Sequence, residues 1–198
     1  MKSGLSLSVA FVGFCGPVFA DQVGPYAYGS VGTALARVDK SSVDSQVTAS
    51  QGGATATSAV TDNPPAYKLN VGYQLTYVVG FELGYGSTNS FTYSTSAPVS
   101  AQASEKLQIW DLALVANRAL GAGFSVIFRG GVSYVGVSSS GTIAHFGGSA
   151  TEGYGGLGLK YALGSNLSLR VDWDTYAAPR GAAIGEVNFV AAGIGYNF

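Results

Sequence analysis

The sequence has little cysteine, little charge and little histidine. Charged residues are 11% of the 198 residues, against roughly 25% in soluble domains. Its one cysteine, Cys15, lies in a segment that we expect to be removed, which excludes disulfides and thiol chemistry from the rest of the chain. Phe14 stands where a lipidation motif needs a small residue, so lipid attachment to Cys15 is not expected. One histidine and no retained cysteine predict neither a metal site nor a cofactor.

Long apolar runs are also missing. No stretch beyond residue 20 reaches the roughly 18 uncharged apolar residues that a membrane-spanning helix needs. The run from Leu5 to Phe19 is shorter and interrupted by serines; it follows Lys2 and ends in Val18-Phe-Ala20, with small residues at a signal-peptidase site. We therefore predict a signal peptide over 1–20, cleaved after Ala20, and one domain over 21–198. Without Lys2 the net charge is −2, from nine basic and eleven acidic residues in no basic cluster, so nucleic acid is not an expected partner.

Glycine and tyrosine are abundant instead, with 29 and 12 residues, and apolar residues recur at every second position. The last nine residues show this best, with apolar groups alternating from Val190 to the terminal Phe198. A sheet in lipid must close on itself, because lipid cannot hydrogen-bond a backbone, and alternate side chains then face lipid and lumen. The predicted fold is an all-β, eight-stranded antiparallel up-and-down transmembrane β-barrel. Tyr196 and Phe198 are the predicted insertion signal, with the barrel assembly machinery, periplasmic chaperones and outer-membrane lipid as expected partners.

The alternation places the first strand at 26–38, with Val31 and Leu35 outward, and the second from Tyr67, with Leu69 and Leu75 outward. Turns are expected near 76–77, 121–123 and 164–166. Polar segments at 39–64, 88–104 and 137–150 are predicted to be loops. Aromatic residues near strand ends are predicted to form membrane-interface girdles: Tyr26, Tyr67, Tyr85, Trp110, Trp173, Tyr196 and Phe198.

Charged residues on the opposite face are predicted to meet inside the barrel. The inward set is Lys68, Arg129, Lys160 and Arg170 with Glu82, Asp111, Asp172 and Asp174. A small barrel is only wide enough for side chains to fill, and unpaired charge there would carry a desolvation cost of several kcal/mol. We expect paired groups forming a plug, and a gated pore is the alternative. The core of this predicted cluster is Glu82, Arg129, Lys160, Arg170 and Asp172.

Two patterns could indicate other chemistry. Residues 153–158 fit the G-x-G-x-x-G pattern and precede Lys160, but they continue into an alternating strand instead of opening a helix, so we interpret them as space for side chains crossing the lumen. His145, with Ser149 or the serines at 138–140, could serve a barrel enzyme that modifies lipid. No acid evidently orients the ring, so a solvated loop histidine is the expectation.

Two segments resemble the transmembrane barrel of the outer membrane protein A family. Residues 72–85, GYQLTYVVGFELGY, are similar to its second and third strands, and residues 161–173, YALGSNLSLRVDW, to its sixth turn and seventh strand. The resemblance implies an eight-stranded barrel whose lumen is blocked by ion pairs. Glu82 matches an inward glutamate that can exchange basic partners in that family, and Arg129 and Arg170 match inward arginines. The sequence departs at Lys160, where the compared member has an acid, and at Val115 or its neighbour, where that member has a lysine.

The sequence thus predicts a non-enzymatic outer-membrane barrel with a structural and surface-contact role, in which exposed loops meet a host-surface ligand. The alternatives are a small gated pore for ions or solutes, a lipid-modifying enzyme and a soluble lipocalin-like barrel. Bilayer conductance would identify the pore, altered lipid species would identify the enzyme, and solubility without detergent would identify the lipocalin-like barrel.

Overall fold

The computed structural model describes residues 23–38, 58–60, 63–95, 101–141, 148–177 and 184–198. The predicted signal peptide, His145 and the expected short loop at 179–181 lie outside these residues. Ten strands are present: β1 (Gly24–Val38), β2 (Ser58–Val60), β3 (Pro65–Gln74), β4 (Val79–Thr88), β5 (Phe91–Thr95), β6 (Ala101–Gly121), β7 (Phe124–Gly141), β8 (Gly148–Ala162), β9 (Leu167–Ala177) and β10 (Ile184–Asn197). Within these ranges no helix has both the length and the apolar character needed to cross a bilayer.

Eight long strands close into a barrel in the order β6-β4-β3-β1-β10-β9-β8-β7, and β7 pairs back onto β6. Every pairing in the ring is antiparallel. The first and last strands are neighbours, with Tyr26 opposite Asn197. Closure gives each long strand a partner on both sides, which removes the open edges that lipid could not satisfy. The expected eight-stranded antiparallel barrel is confirmed.

The chain reverses tightly at one end of the barrel, which we call the short-turn end. The turns lie at 75–78, 122–123 and 163–166, as the sequence predicted, and the start of β1 pairs with the end of β10 at the same end. Ala122 and Gly123 have φ values of 52° and 80°. Positive φ at both central residues is the primed turn geometry that matches the twist of the flanking strands, and glycine supplies the second position without strain.

The outer surface follows the predicted register. Exposed and buried residues alternate along β3, and the outward side chains of the first predicted strand, Val31 and Leu35, are exposed. From Tyr67 to Leu75 the apolar outward band measures about 27 Å along the strand, which suits a hydrophobic layer crossed at a tilt. The neighbouring strands continue the band with Phe81, Leu83, Leu112, Leu114, Phe128, Val132, Leu157, Leu159, Leu169, Val171 and Ile194.

We call the other end of the barrel the extended end. Toward it, the outward residues of a single strand change from apolar to polar, and inward apolar residues appear. On β6, Leu112 and Trp110 point outward, but two residues further Gln108 is exposed while Leu107 and Ile109 are buried inside. The same reversal occurs on β7 at Tyr134 and Val135, which pair with Trp110 and Ile109. Beyond this level the inside of the wall is mainly apolar, with Glu105 and Thr88 also buried there, and the outside is polar.

The predicted loops are shorter than expected because strands continue into them. The segment 88–104 contains β5 and the start of β6, and β2 lies within 39–64. Likewise β7 runs to Gly141 and β8 begins at Gly148, inside 137–150. At the break between β4 and β5, the Leu107 amide donates to the Thr88 hydroxyl at 3.0 Å. The loop prediction was therefore wrong for these described parts, where polar outward residues belong to strands.

Candidate functional site in the barrel interior

Glu82 on β4 is the centre of an ionic network inside the barrel, and its side chain is fully buried. Both carboxylate oxygens accept hydrogen bonds from Arg170, at 2.6 Å from Nη1 and 3.1 Å from Nη2. The Asn70 amide donates to Oε2 at 2.9 Å, and the Tyr26 hydroxyl donates to Oε1 at 2.9 Å. A carboxylate with this many donors stays ionised at low cost, since bidentate arginine and neutral donors replace its hydration.

Two arginines connect the acids around Glu82. Arg170 on β9 stands four strands away around the ring, on the opposite wall, and its Nε also donates to Asp172 at 2.8 Å. Arg129 on β7 lies 2.7 Å from Asp172 and 3.0 Å from Asp174, with Glu82 at 3.8 Å. The guanidinium nitrogens of Arg129 do not meet the angles of a hydrogen bond to these carboxylates. The attraction between Arg129 and the three acids is therefore that of ion pairs. The network therefore bridges the lumen from wall to wall.

A second part of the ionic network surrounds Lys68 on β3. Its Nζ lies 2.9 Å from Asp111 and 3.0 Å from Asp174, and it donates to the Tyr176 hydroxyl at 2.6 Å. Tyr176 and Tyr154 donate in turn to the two oxygens of Asp111, at 3.0 and 3.1 Å. The ion pairs described here thus join three basic and four acidic side chains, and tyrosine and asparagine side chains donate further hydrogen bonds to these acids.

Glycines make room for these carboxylates. In the segment 153–158, Gly156 and Gly158 face inward, opposite Asp174 and Asp172 of β9. A Cβ at either glycine would overlap the carboxylate of its partner. Gly84 has the same relation to Asp111 on β6. The structure thus supports our interpretation of the G-x-G-x-x-G pattern as lumen space, since its residues lie in β8 and open no helix.

Lys160 is the remaining member of the predicted cluster. It lies on β8 toward the short-turn end, where it lines a cavity together with Glu82, Arg170 and Tyr26. The cavity has a volume of about 30 Å³, which is room for about two water molecules. The ion pairs described above also connect Lys68, through Asp174, to the predicted cluster residue Arg129.

An apolar plug closes the lumen on the extended side of the ionic network. It consists of buried side chains from six strands: Ala34, Ala66, Phe91, Leu107, Ile109, Val135, Val137, Val187 and Phe189. Tyr154 and Tyr176 join the two layers. Their rings stack on each other at 5.1 Å, the Tyr176 ring meets Phe189 of the plug at 5.7 Å, and both hydroxyls reach Asp111. Sequence reasoning missed the plug, since it expected a polar interior throughout.

The outward aromatic residues form rows at two levels. The upper aromatic row contains Tyr67, Tyr85 and Trp110, with ring centroids 6.4 and 4.7 Å apart along the row, and Tyr134 beside Trp110 on β7. Trp173 faces outward on β9, and its indole donates to Asn188 at 2.9 Å. At the short-turn end the outward aromatic contacts are Tyr73 with Phe81, Phe124 with Tyr161, and Tyr196 with Phe198. These rows have the placement of interface girdles.

Tyr26 is an exception to the predicted girdles. The sequence suggested an outward ring, but the structure turns Tyr26 inward to Glu82. The girdle prediction was wrong because it used only the position of Tyr26 near a strand end. The register that turns Val31 and Leu35 outward places residue 26 on the inward face. Tyr28, two residues further, confirms the inward face: it is buried, and the Arg170 guanidinium lies 4.3 Å from its ring centroid.

The residues considered for lipid chemistry are not brought into a described site. Ser149 lies on the exposed face of β8, and the serines at 138–140 end β7. His145 is outside the described residues. No group of three or more histidine, cysteine, aspartate or glutamate side chains that could hold a metal occurs in the part of the chain that the structure describes.

Comparisons with known proteins agree with this architecture. A family model described as the outer membrane protein beta-barrel domain matches residues 6–198. No curated protein matches the sequence significantly.

Among solved structures, neisserial surface protein A is 14% identical with a TM-score of 0.59, covering 88% of this chain and 97% of its own. OprG of Pseudomonas aeruginosa is 16% identical with a TM-score of 0.56, covering 91% and 99%. Ail, the attachment invasion locus protein of Yersinia pestis, is 14% identical with a TM-score of 0.53, covering 89% and 100%. At these identities the likeness concerns the fold.

Proposed function

The chain belongs to the outer membrane protein β-barrel family, and from that premise we propose a non-enzymatic barrel that acts by surface contact at its extended end. The family implies a location in the bacterial outer membrane. Barrels of this kind have short periplasmic turns and longer extracellular segments. The short-turn end then faces the periplasm, and the extended end faces the cell exterior.

The observation that carries this proposal is the filled lumen. Across the described residues, the ionic network joins opposite walls through Glu82 and Arg170, and the apolar plug lies directly above it. An ion crossing the barrel would have to break buried ion pairs and then lose its hydration shell as it passed between apolar side chains. Each step costs several kcal/mol in a low-dielectric interior. If the lumen conducts nothing, the protein acts through contacts made by its outer surface.

The extended end offers such a surface. Strands β6 and β7 continue past the upper aromatic row and carry β5 and β2 beside them, so a sheet stands above the level of the membrane. Its outside is polar, with Gln108 and Ser138 exposed, as suits a surface in water. Ail, an attachment invasion locus protein by name, is built on a barrel of similar fold. This likeness supports surface contact as the role proposed here.

Conductance and adhesion measurements test this function together. Refolded protein in planar bilayers is expected to give no discrete conductance steps. Cells displaying the protein are expected to bind host cells or matrix, and replacing residues 142–147 by a glycine-serine linker should reduce that binding. A matched replacement of residues 163–166, in a short turn, should leave adhesion unchanged. Steady single-channel currents without adhesion would contradict the proposal.

A gated pore is the second candidate, and the cavity beside Glu82 favours it. Water-sized space reaches the ionic network from the short-turn side, between Lys160 and Arg170. If Glu82 is the gate, Glu82→Ala should change the conductance of the barrel. If the barrel is closed, the Glu82→Ala variant should also show no conductance steps, because the apolar plug still blocks the lumen.

Export and assembly complete the proposal. We expect cleavage after Ala20 and delivery by periplasmic chaperones to the barrel assembly machinery. Tyr196 and Phe198 project outward from the closing strand, with rings 5.2 Å apart, where an assembly partner could contact them before β10 pairs with β1.

A further inference from the structure

A groove on the outer wall lies just above the upper aromatic row, and we call it the outer groove. Gln108, Gly136 and Ser149 stand side by side across β6, β7 and β8, and the rings of Trp110 and Tyr134 form its lower edge. The groove encloses about 400 Å³, within the usual 300–1,000 Å³ of small-molecule sites.

The groove exists because residue 136 has no side chain. Gly136 lies on the outward face between the larger Tyr134 and Ser138. A Cβ there would come no nearer than 3.8 Å to the Gln108 carbonyl oxygen and 4.0 Å to the Tyr134 ring. These are ordinary van der Waals distances, so a larger residue would fill the groove without disturbing the wall.

The position of the groove along the barrel axis determines which part of the membrane it faces. The outward residues of β6 change from Leu112 and Trp110 to Gln108 and Lys106, which are polar and exposed. Aromatic side chains of this kind mark the boundary between hydrocarbon and headgroups. Resting on the proposed orientation, the groove then opens at the headgroup level of the outer leaflet, continuous with the lipid-facing band below.

The chemistry of the groove suits a sugar that carries a phosphate. The Gln108 amide and the hydroxyls of Ser138 and Ser149 can donate to and accept from sugar hydroxyls, and the Trp110 ring gives a flat apolar face. Lys106 pairs with Ser138 across the strands and adds a positive charge at the upper edge. The described outward positions of β6, β7 and β8 at this level include no acidic side chain. We propose that the outer groove binds the phosphorylated sugar headgroup of an outer-leaflet glycolipid.

The two tryptophans of the chain allow a direct test. In a Trp173→Phe background, Trp110 is the one remaining tryptophan, so its emission reports on the groove. The full chain, exported and purified, is inserted into phosphatidylcholine vesicles and titrated with a phosphorylated disaccharide lipid, its dephosphorylated form, or phosphatidylglycerol. We expect saturable emission changes with the phosphorylated glycolipid and no saturation with phosphatidylglycerol, which has a phosphate but no sugar ring.

Matched variants locate the site. Gly136→Val fills the groove and should weaken binding at least tenfold. Gly130→Val, on the same face of β7 but within the lipid band, meets nothing within 4 Å and should leave affinity unchanged. Lys106→Gln should lower the affinity for the phosphorylated lipid to that for the dephosphorylated one.

Three results would overturn the inference in inserted protein: no saturable binding of the glycolipid, equal binding of phosphatidylglycerol, or equal effects of Gly136→Val and Gly130→Val. Protein that stays in solution without inserting would overturn the proposed function and the groove's ligand together. Insertion without headgroup binding would overturn the groove's ligand alone.

Discussion

The stability lost when Glu82 is replaced by glutamine should show whether the ionic network is shielded from water. Glu82→Gln keeps the size of the side chain but removes the charge that faces Arg170 and, at 3.8 Å, Arg129. It also turns an oxygen that now accepts from arginine or asparagine into an amide donor. Breaking one side of a buried ion pair costs about 3–5 kcal/mol, because the remaining charge stays desolvated. Since Asp172 still pairs with Arg170, we expect about 3 kcal/mol, roughly a hundredfold in the unfolding equilibrium.

The assay is denaturant unfolding of the protein inserted in lipid vesicles, with Glu186→Gln as the matched control. Glu186 accepts a 3.1 Å hydrogen bond from Asn188 on the exposed outer face of β10, so its replacement should cost less than about 0.5 kcal/mol. In the double variant with Arg170→Met, the loss should be smaller than the sum of the single losses by about 1–3 kcal/mol.

A water-filled lumen makes the opposite prediction. Solvated ion pairs contribute about 0–1 kcal/mol, so Glu82→Gln would then behave like the control. A loss below about 1 kcal/mol, or additivity of Glu82→Gln and Arg170→Met, would refute the dry ionic network. It would also remove the main support for a closed barrel and favour the pore.

Further predictions address the wall, the closing strand and the lipid band. Gly156→Ala should destabilise the barrel by about 1–3 kcal/mol in the same unfolding assay, because its Cβ overlaps Asp174, whereas Gly153→Ala, with its nearest neighbour at 3.9 Å, should cost less than about 1 kcal/mol. Deleting Phe198 should lower outer-membrane insertion, measured by membrane fractionation of cells, because the closing strand loses its terminal aromatic. A spin label at Leu69, which is 58% exposed on the outer face, should be relaxed by oxygen in the bilayer and not by aqueous quenchers.

Each of these has a clear contrary result. Equal stability of the two glycine variants would show that Asp174 needs no space at β8. Normal insertion without Phe198 would place the assembly signal elsewhere in the chain. Quenching of the Leu69 label from water would reverse the assignment of lipid and lumen faces.

The membrane half of the barrel was predictable because lipid makes the alternation strong. Along β3 every outward residue from Tyr67 to Leu75 is apolar, and the inward Lys68 and Asn70 are polar, so one register satisfies the sequence. The acids and bases of the ionic network lie on the faces that the alternation assigned inward, whereas Tyr176 was not considered and Tyr26 was assigned to a girdle. Which base meets which acid did not follow, because the partners come from different walls: Lys68 on β3 reaches Asp174 on β9.

The extended half was not predictable by the same rule, because water replaces lipid outside the wall. Past Trp110 the outward residues of β6 become polar, while the inward Ile109 and Leu107 are apolar, so a search for outward apolar residues ends the strand too early. One signal was present. Adjacent apolar pairs, Ile109-Trp110 on β6 and Tyr134-Val135 on β7, break the alternation where the two patterns meet. Phe189-Val190 on β10 marks the same change.

The apolar plug means that the part of the barrel above the bilayer has a hydrophobic interior of its own. Phe91, Leu107 and Val135 bury their side chains there without help from lipid, as the core of a water-soluble sandwich does. A foreign peptide inserted in place of residues 142–147 would therefore be carried by a folded support with its own core. The molecule is in this respect a ready frame for displaying epitopes on bacterial cells.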